Sequence, residues 1–176
     1  MSTKDYLKGK GVYLAGPMFA CDDDGVGWRD QITSKLVEEY GLTVEDPTKK
    51  TADGLGEVGD DKALFKKLIK KQEWRIVREK FWPIVRKDLR CVDKADFLII
   101  VYDPNVHMFG TIHEWVEAHR QKKPILMKYS ENDLEAFNVW ATTLVKPEWM
   151  FTTWEDMFDY LDLVRDGFID TKYWTL

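Results

Sequence analysis

The sequence predicts an α/β fold in one domain: a five-stranded parallel sheet with helices on both faces. Three observations carry this. Short apolar runs alternate with amphipathic helical patterns along the whole chain. The first two runs, residues 11–15 and 42–45, break at once into Gly16-Pro17 and Asp46-Pro47, so both end at the same edge of the sheet. The third, residues 97–102, is apolar throughout, which suits a strand covered on both faces and is too short for an ordinary helix. Repeated strand–helix units cross over right-handedly, and the strands they join are therefore parallel.

Taken in order, Gly11-Val-Tyr-Leu-Ala15 is the first strand. Asp22, Asp23 and Asp24 lack the later, spaced ligands of a calcium loop and suit the cap of the next helix. That helix shows Trp28, Ile32, Leu36 and Tyr40 at four-residue spacing and stops at Gly41. After the second strand, residues 48–61 contain three glycines and no periodicity, which reads as a loop near the sheet's ligand edge. Residues 62–94 carry twelve Lys or Arg against four Asp or Glu, so this segment is +8 while the rest of the chain is −13. Phe65, Leu68, Ile69, Ile76 and Val77 suit one helix, which Pro83 is expected to end, opening a second with Ile84, Val85, Leu89 and Val92. The basic face is either solvated, an attractor of phosphate, or a partner for an acidic neighbouring subunit.

Beyond the third strand, Thr111 is expected to open a helix. Residues 124–128 form a fourth strand, residues 133–143 a helical pattern, and residues 149–151 a fifth strand. Trp154, Met157, Phe158, Leu161 and Val164 mark a last helix ending near Gly167.

Composition narrows the function. A 176-residue chain with 44% hydrophobic residues can bury one sizeable core, and a net charge of −5 disfavours nucleic acid and anionic membranes as partners of the whole surface. There is no apolar signal core and no run long enough to span a bilayer, so a soluble, cytoplasmic chain is expected. Cys21 and Cys91 stand far apart, with no zinc spacing. Neither a dinucleotide-binding glycine loop nor a phosphate loop follows any predicted strand. His113 and His119 are six residues apart, which cannot place both rings on one helix face as a zinc protease requires. No metal and no cofactor are expected, which leaves carboxylates.

Glu114 carries two readings. A helix start beyond the carboxyl end of a parallel strand is where open α/β sheets hold ligands. Thr111-x-x-Glu114 is also a capping box, in which Glu only satisfies a backbone amide. Tyr13 on the first strand and Asp88 on the helix before the third are expected to converge with Glu114 above the sheet.

At these residues the chain resembles a known family. Val12-Tyr-Leu-Ala-Gly-Pro-Met-Phe19, Arg86-Lys-Asp88 followed by Val92-Asp-Lys-Ala-Asp96, Gly110-Thr-x-x-Glu114 and Lys123-Pro-Ile125 resemble the nucleoside 2-deoxyribosyltransferases and their glycosidase relatives, over roughly residues 11–130. The resemblance implies a flavodoxin-like, Rossmann-like three-layer sandwich and a retaining two-step glycosyl transfer. It implies Glu114 as nucleophile, Tyr13 as the group orienting it, and Asp88 as proton donor to the departing base. It further implies a substrate site formed by Gly16, Pro17, Met18, Phe19, Asp46, Met108, Gly110 and Thr111. Asn138 would reach a neighbour's site, since family members are homo-oligomers, dimers or larger. Partners would be a nucleoside and a free nucleobase, with no nucleic acid polymer and no membrane.

Three departures stand out. Met108 occupies the place of an Asp that many transferases use in base recognition. Thr48-Lys-Lys50 replaces a common Gln, and residues 48–82 read as a helical insertion. Gly16-Pro-Met-Phe19 replaces the Ser and Arg loop of the nucleotide-cleaving relatives, which favours a nucleoside. The competing readings are a nucleoside or nucleotide N-glycosidase, and a non-catalytic nucleotide-binding or sensor protein.

Overall fold

A computed structural model describes residues 5–18, 21–49 and 59–174. Its elements are β1 (Gly11–Ala15), α1 (Val26–Glu38), β2 (Thr43–Glu45), α2 (Asp60–Lys70), α3 (Trp74–Lys94), β3 (Phe97–Val101), α4 (Phe109–Arg120), β4 (Ile125–Lys128), α5 (Val139–Thr142), β5 (Met150–Phe151) and α6 (Trp154–Arg165). The strands form one parallel sheet in the order β2-β1-β3-β4-β5. This is the flavodoxin-like doubly wound order, whose direction reverses at β1 and opens a crevice between the carboxyl ends of β1 and β3.

The reversal also distributes the helices. The crossover from β1 to β2 runs one way along the sheet and those from β2 to β3 and β3 to β4 run the other, so right-handedness places α1 on one face and α3 and α4 on the opposite face. Side chains agree with this. Trp28 stacks on Trp154 at 5.8 Å and Tyr40 on Phe158 at 6.2 Å, joining α1 and the turn after it to α6. On the other face Trp115 of α4 is fully buried and meets Tyr102 edge-on at 5.6 Å. Val12 to Ala15 and Phe97 to Ile100 are completely inaccessible, as central parallel strands must be.

Several boundaries differ from expectation, each for a local reason. The break in the basic segment comes at Lys71–Glu73, where Gln72 adopts a left-handed φ of 57°, and α3 then runs 21 residues straight through Pro83. Pro83 is exposed, so the Glu79 carbonyl that loses its intrahelical donor lies on the solvent side, where water can satisfy it. The expected helix over residues 133–143 is split by Phe137 and Asn138 into a tight turn, Glu131–Ala136, and the one-turn α5. α4 begins at Phe109 rather than Thr111. Among the described residues no helix is long and apolar enough to cross a membrane.

Candidate active site

The crevice is built first by an arginine. Arg29 lies on the buried stripe of α1 and is completely inaccessible. Its guanidinium donates to the carbonyls of Leu14 at 3.2 Å, Gly16 at 3.0 Å and Gly25 at 2.6 Å. Asp46 Oδ1 lies 3.7 Å from Arg29 Nε, so the buried cation has a counter-charge. Burial lowers the Arg29 pKa, and Asp46 acts against that. The turn after β1 is thereby pinned to α1. Gly16 is required there, because a Cβ would stand 2.8 Å from Cζ2 of Trp28.

Tyr13 points from the middle of β1 toward α4, and its hydroxyl donates to Glu114 Oε1 at 2.6 Å. Burial, followed by the charges of Glu114 and Asp88, pushes the phenol pKa well above its usual value. The hydroxyl therefore stays protonated and serves as a donor. Because α4 starts at Phe109, Thr111 sits inside its first turn and Glu114 in its second, and no side chain caps the helix. The capping box is not formed, and Glu114 is held from across the sheet.

Asp88 comes from α3, 3% exposed. Its Oδ1 is buried with no hydrogen-bond partner, and Lys87 Nζ is 3.7 Å away, an ion pair beyond hydrogen-bond range. Burial pushes the carboxyl pKa up to about 6, with Lys87 and Arg29 pulling the other way. Such a carboxyl can hold or release a proton close to neutral pH. A hydrogen-bonded Glu114 and a desolvated Asp88 thus occupy unlike environments, the arrangement by which paired carboxyl groups acquire separate roles.

Asp88 and Glu114 line one cavity of about 580 Å³, within the range of roughly 300–1,000 Å³ typical of small-molecule sites. Gly16, Pro17, Met18, Met108, Gly110 and Thr111 also line it. At Gly110 an added Cβ would meet no atom within 4 Å, so the space in front of this glycine belongs to the cavity. Tyr13 stands behind Glu114 and does not itself reach the lining.

Asp46 does not line the cavity, and Asn138, expected at a neighbour's site, lies outside this one. Asp46 is taken up by the Thr48 amide and hydroxyl, at 2.9 and 2.7 Å, as well as by Arg29. Asn138 is exposed and caps α5, accepting from the Ala141 amide at 3.2 Å. Phe19 lies outside the described residues. Missing from the sequence reading were Arg29 and the aromatic wall formed by Phe65, Phe81 and Trp82. Arg29 had a signal, since residues 29, 32, 36 and 40 share one helical face. Among the described residues no cluster of three or more His, Cys, Asp or Glu side chains is placed to hold a metal ion.

No family model matches the chain, and no curated protein matches it in sequence. Solved structures match it in fold. A 2-deoxyribosyltransferase from Bacillus psychrosaccharolyticus is 16% identical, covers 86% of this chain and 95% of its own, and superposes with a TM-score of 0.54. A conserved protein from Enterococcus faecalis V583 is 15% identical over 89% of this chain and 99% of its own, with a TM-score of 0.57. A CMP N-glycosidase from Clostridium botulinum is more distant, at 16% identity, 88% and 99% coverage and a TM-score of 0.47. At these identities the likeness is one of fold. The fold implied by the motifs is the fold observed, and the first of these structures carries the activity of the family that the motifs resemble.

Proposed function

We propose that the protein is a nucleoside 2-deoxyribosyltransferase that works through a covalent glycosyl–Glu114 intermediate. The observation that carries this reading is the 2.6 Å bond from the Tyr13 hydroxyl to Glu114, in a cavity shared with the buried Asp88. In the first half-reaction the Glu114 carboxylate attacks the anomeric carbon from the face opposite the base. The carbon–nitrogen bond breaks, its electron pair leaves with the base, and Asp88 supplies the proton that the leaving nitrogen takes up. In the second half-reaction a ring nitrogen of another base attacks the same carbon. The ester bond breaks, Glu114 regains its charge, and Asp88 takes the incoming base's proton. The Tyr13 hydroxyl orients the nucleophile and donates to the carboxylate oxygen, which carries charge before the first half-reaction and again after the second.

The apolar lining supports transfer over hydrolysis, because it favours a flat heterocycle over water as the second acceptor. Lys49 is engaged with Asp30 at 3.3 Å and Asp46 at 3.5 Å, which weakens the case for a phosphate held by that loop and so favours a nucleoside. We read residues 48–82, which include α2 and the first part of α3, as an insertion within a single domain. Exposed Val139 and Trp140 beside Asn138 suit contact with a second copy of the chain.

The test is incubation with 2'-deoxynucleosides, with and without a second free base, followed by chromatography. Exchange of bases supports the transferase, release without exchange moves the assignment to a hydrolase, and no turnover of any nucleoside or nucleotide sinks the enzyme reading. Glu114→Ala should abolish turnover with the fold retained. Rapid quenching should add a deoxyribosyl mass to the peptide containing Glu114.

A further inference from the structure

The cavity continues well past the two carboxyl groups. On α3 its lining runs from Asp88 back through Val85, Trp82 and Phe81 to Val77. The eleven residue steps from Val77 to Asp88, at 1.5 Å each, span about 16 Å, the length of a slot. Phe65 and Ile69 of α2, one turn apart, form the opposing wall. Phe65 is buried and meets Phe81 edge-on at 4.8 Å, which closes the slot from behind. The slot side chains are apolar apart from the Trp82 indole N–H. The polar lining groups other than Asp88, namely His107, Thr111, His113 and Glu114, all belong to α4 or the loop leading into it.

The placement of Asp88 decides what enters. In the proposed reaction Asp88 meets the leaving nitrogen, so the sugar lies toward Glu114 and the far side of the base points along α3 into the slot. Met108, 5% exposed, adds a thioether to the lining and no hydrogen-bonding group. A bare base would bring exocyclic amino or carbonyl groups to a wall that cannot bond them, and each buried polar group left unpaired lowers specificity for that ligand. A base carrying an apolar substituent would instead bury it along Val77 and Phe81.

We propose that the preferred substrates are nucleosides whose base carries an extended apolar substituent on its exocyclic nitrogen, an alkyl or arylmethyl group, seated between α2 and α3. This rests on the transferase reading above. The experiment compares kcat/KM for two matched pairs: 2'-deoxyadenosine with its N6-benzyl derivative, and 2'-deoxycytidine with its N4-benzyl derivative. Within each pair the bond cleaved is the same. For the base class that is turned over, the benzyl member should be favoured about tenfold or more, the scale on which an apolar pocket discriminates. Val77→Asn, at the far end of the slot, should shift the ratio back toward the bare nucleoside. Equal or lower kcat/KM for the benzyl member overturns the inference and leaves the transferase reading standing. Turnover of neither member of either pair also overturns this inference, and the transferase reading is then decided by the exchange test on the other deoxynucleosides.

Discussion

Asp88→Asn is expected to stabilise the protein at neutral pH and to do nothing of the kind in acid. Burial raises the Asp88 pKa from 3.8 to about 6. A gap of about 2 units, at about 1.36 kcal/mol per unit, makes ionising this carboxyl in the folded protein cost roughly 3 kcal/mol. Because the folded pKa is the higher one, the native state binds more protons than the unfolded chain between pH 3.8 and about 6, and stability falls as pH rises through that window. Below the window both states are protonated and nothing is lost; above it the full cost is present. An amide keeps the shape and carries no charge. The attraction of Lys87, 3.7 Å away and partly exposed, is already contained in that pKa shift. The net expectation is therefore roughly 3 kcal/mol in favour of the variant at pH 8, vanishing near pH 4. Urea titrations of both proteins across that range, with unchanged m-values, give the difference directly. A stability difference that is the same at both ends would refute the reasoning, and with it the basis for Asp88 as proton donor. Turnover should move oppositely, because the more stable variant has no carboxyl with which to pass a proton.

Tyr13→Phe should lower kcat by about 10- to 100-fold with KM nearly unchanged, since the lost donor acts on the nucleophile and not on bound substrate; steady-state kinetics showing a change confined to KM would count against the orienting role. Gly110→Ala introduces no contact with protein and removes a glycine from α4, so the folded state should hold or gain up to about 1 kcal/mol by denaturant titration, while kcat/KM falls as the methyl enters space meant for the sugar. Arg29→Met leaves the buried Asp46 with only the exposed Lys49 as counter-charge and removes a donor from three carbonyls; by the same titration it should cost about 3 kcal/mol.

What was legible in the sequence were features set by local chemistry. Apolar runs such as Phe97–Val101 announce buried parallel strands, and the proline turns after β1 and β2 announce the edge where they end. The order Tyr13, Asp88, Glu114 placed the three polar groups on the right elements, and the structure joins Tyr13 to Glu114 and puts Asp88 in the same cavity. What was not legible depends on contacts distant in sequence. The Thr111 to Glu114 spacing fits a capping box, yet α4 starts at Phe109 and the Glu114 carboxylate is held by a hydroxyl 101 residues away in sequence. Pro83 reads as a helix end, but a helix with one face in solvent tolerates it. Asp46 looks like a site carboxylate until Arg29, 17 positions earlier, is seen to be buried against it. The slot itself exists only between two helices, and helical periodicity does not say which apolar stripe meets solid core and which meets empty space.

The turn at Gln72 divides the cavity wall from its anchor. Residues 60–82 bury one side chain, Phe65, whereas the remainder of α3 is tied down by Ile84, Asp88 and Val92. A segment with so little buried surface opens locally at a free energy far below that of global unfolding. Amide hydrogens of α2 and the first two turns of α3 should therefore exchange long before those of β1 and β3, and together with one another, as a single cooperative unit. If the ligand is bulky, its entry and exit would proceed by lifting this hairpin, while the strand that holds Tyr13 and the helix that holds Glu114 stay in place. Release would be timed by the stability of the wall, and slower release would be the cost of any substitution that fastens it.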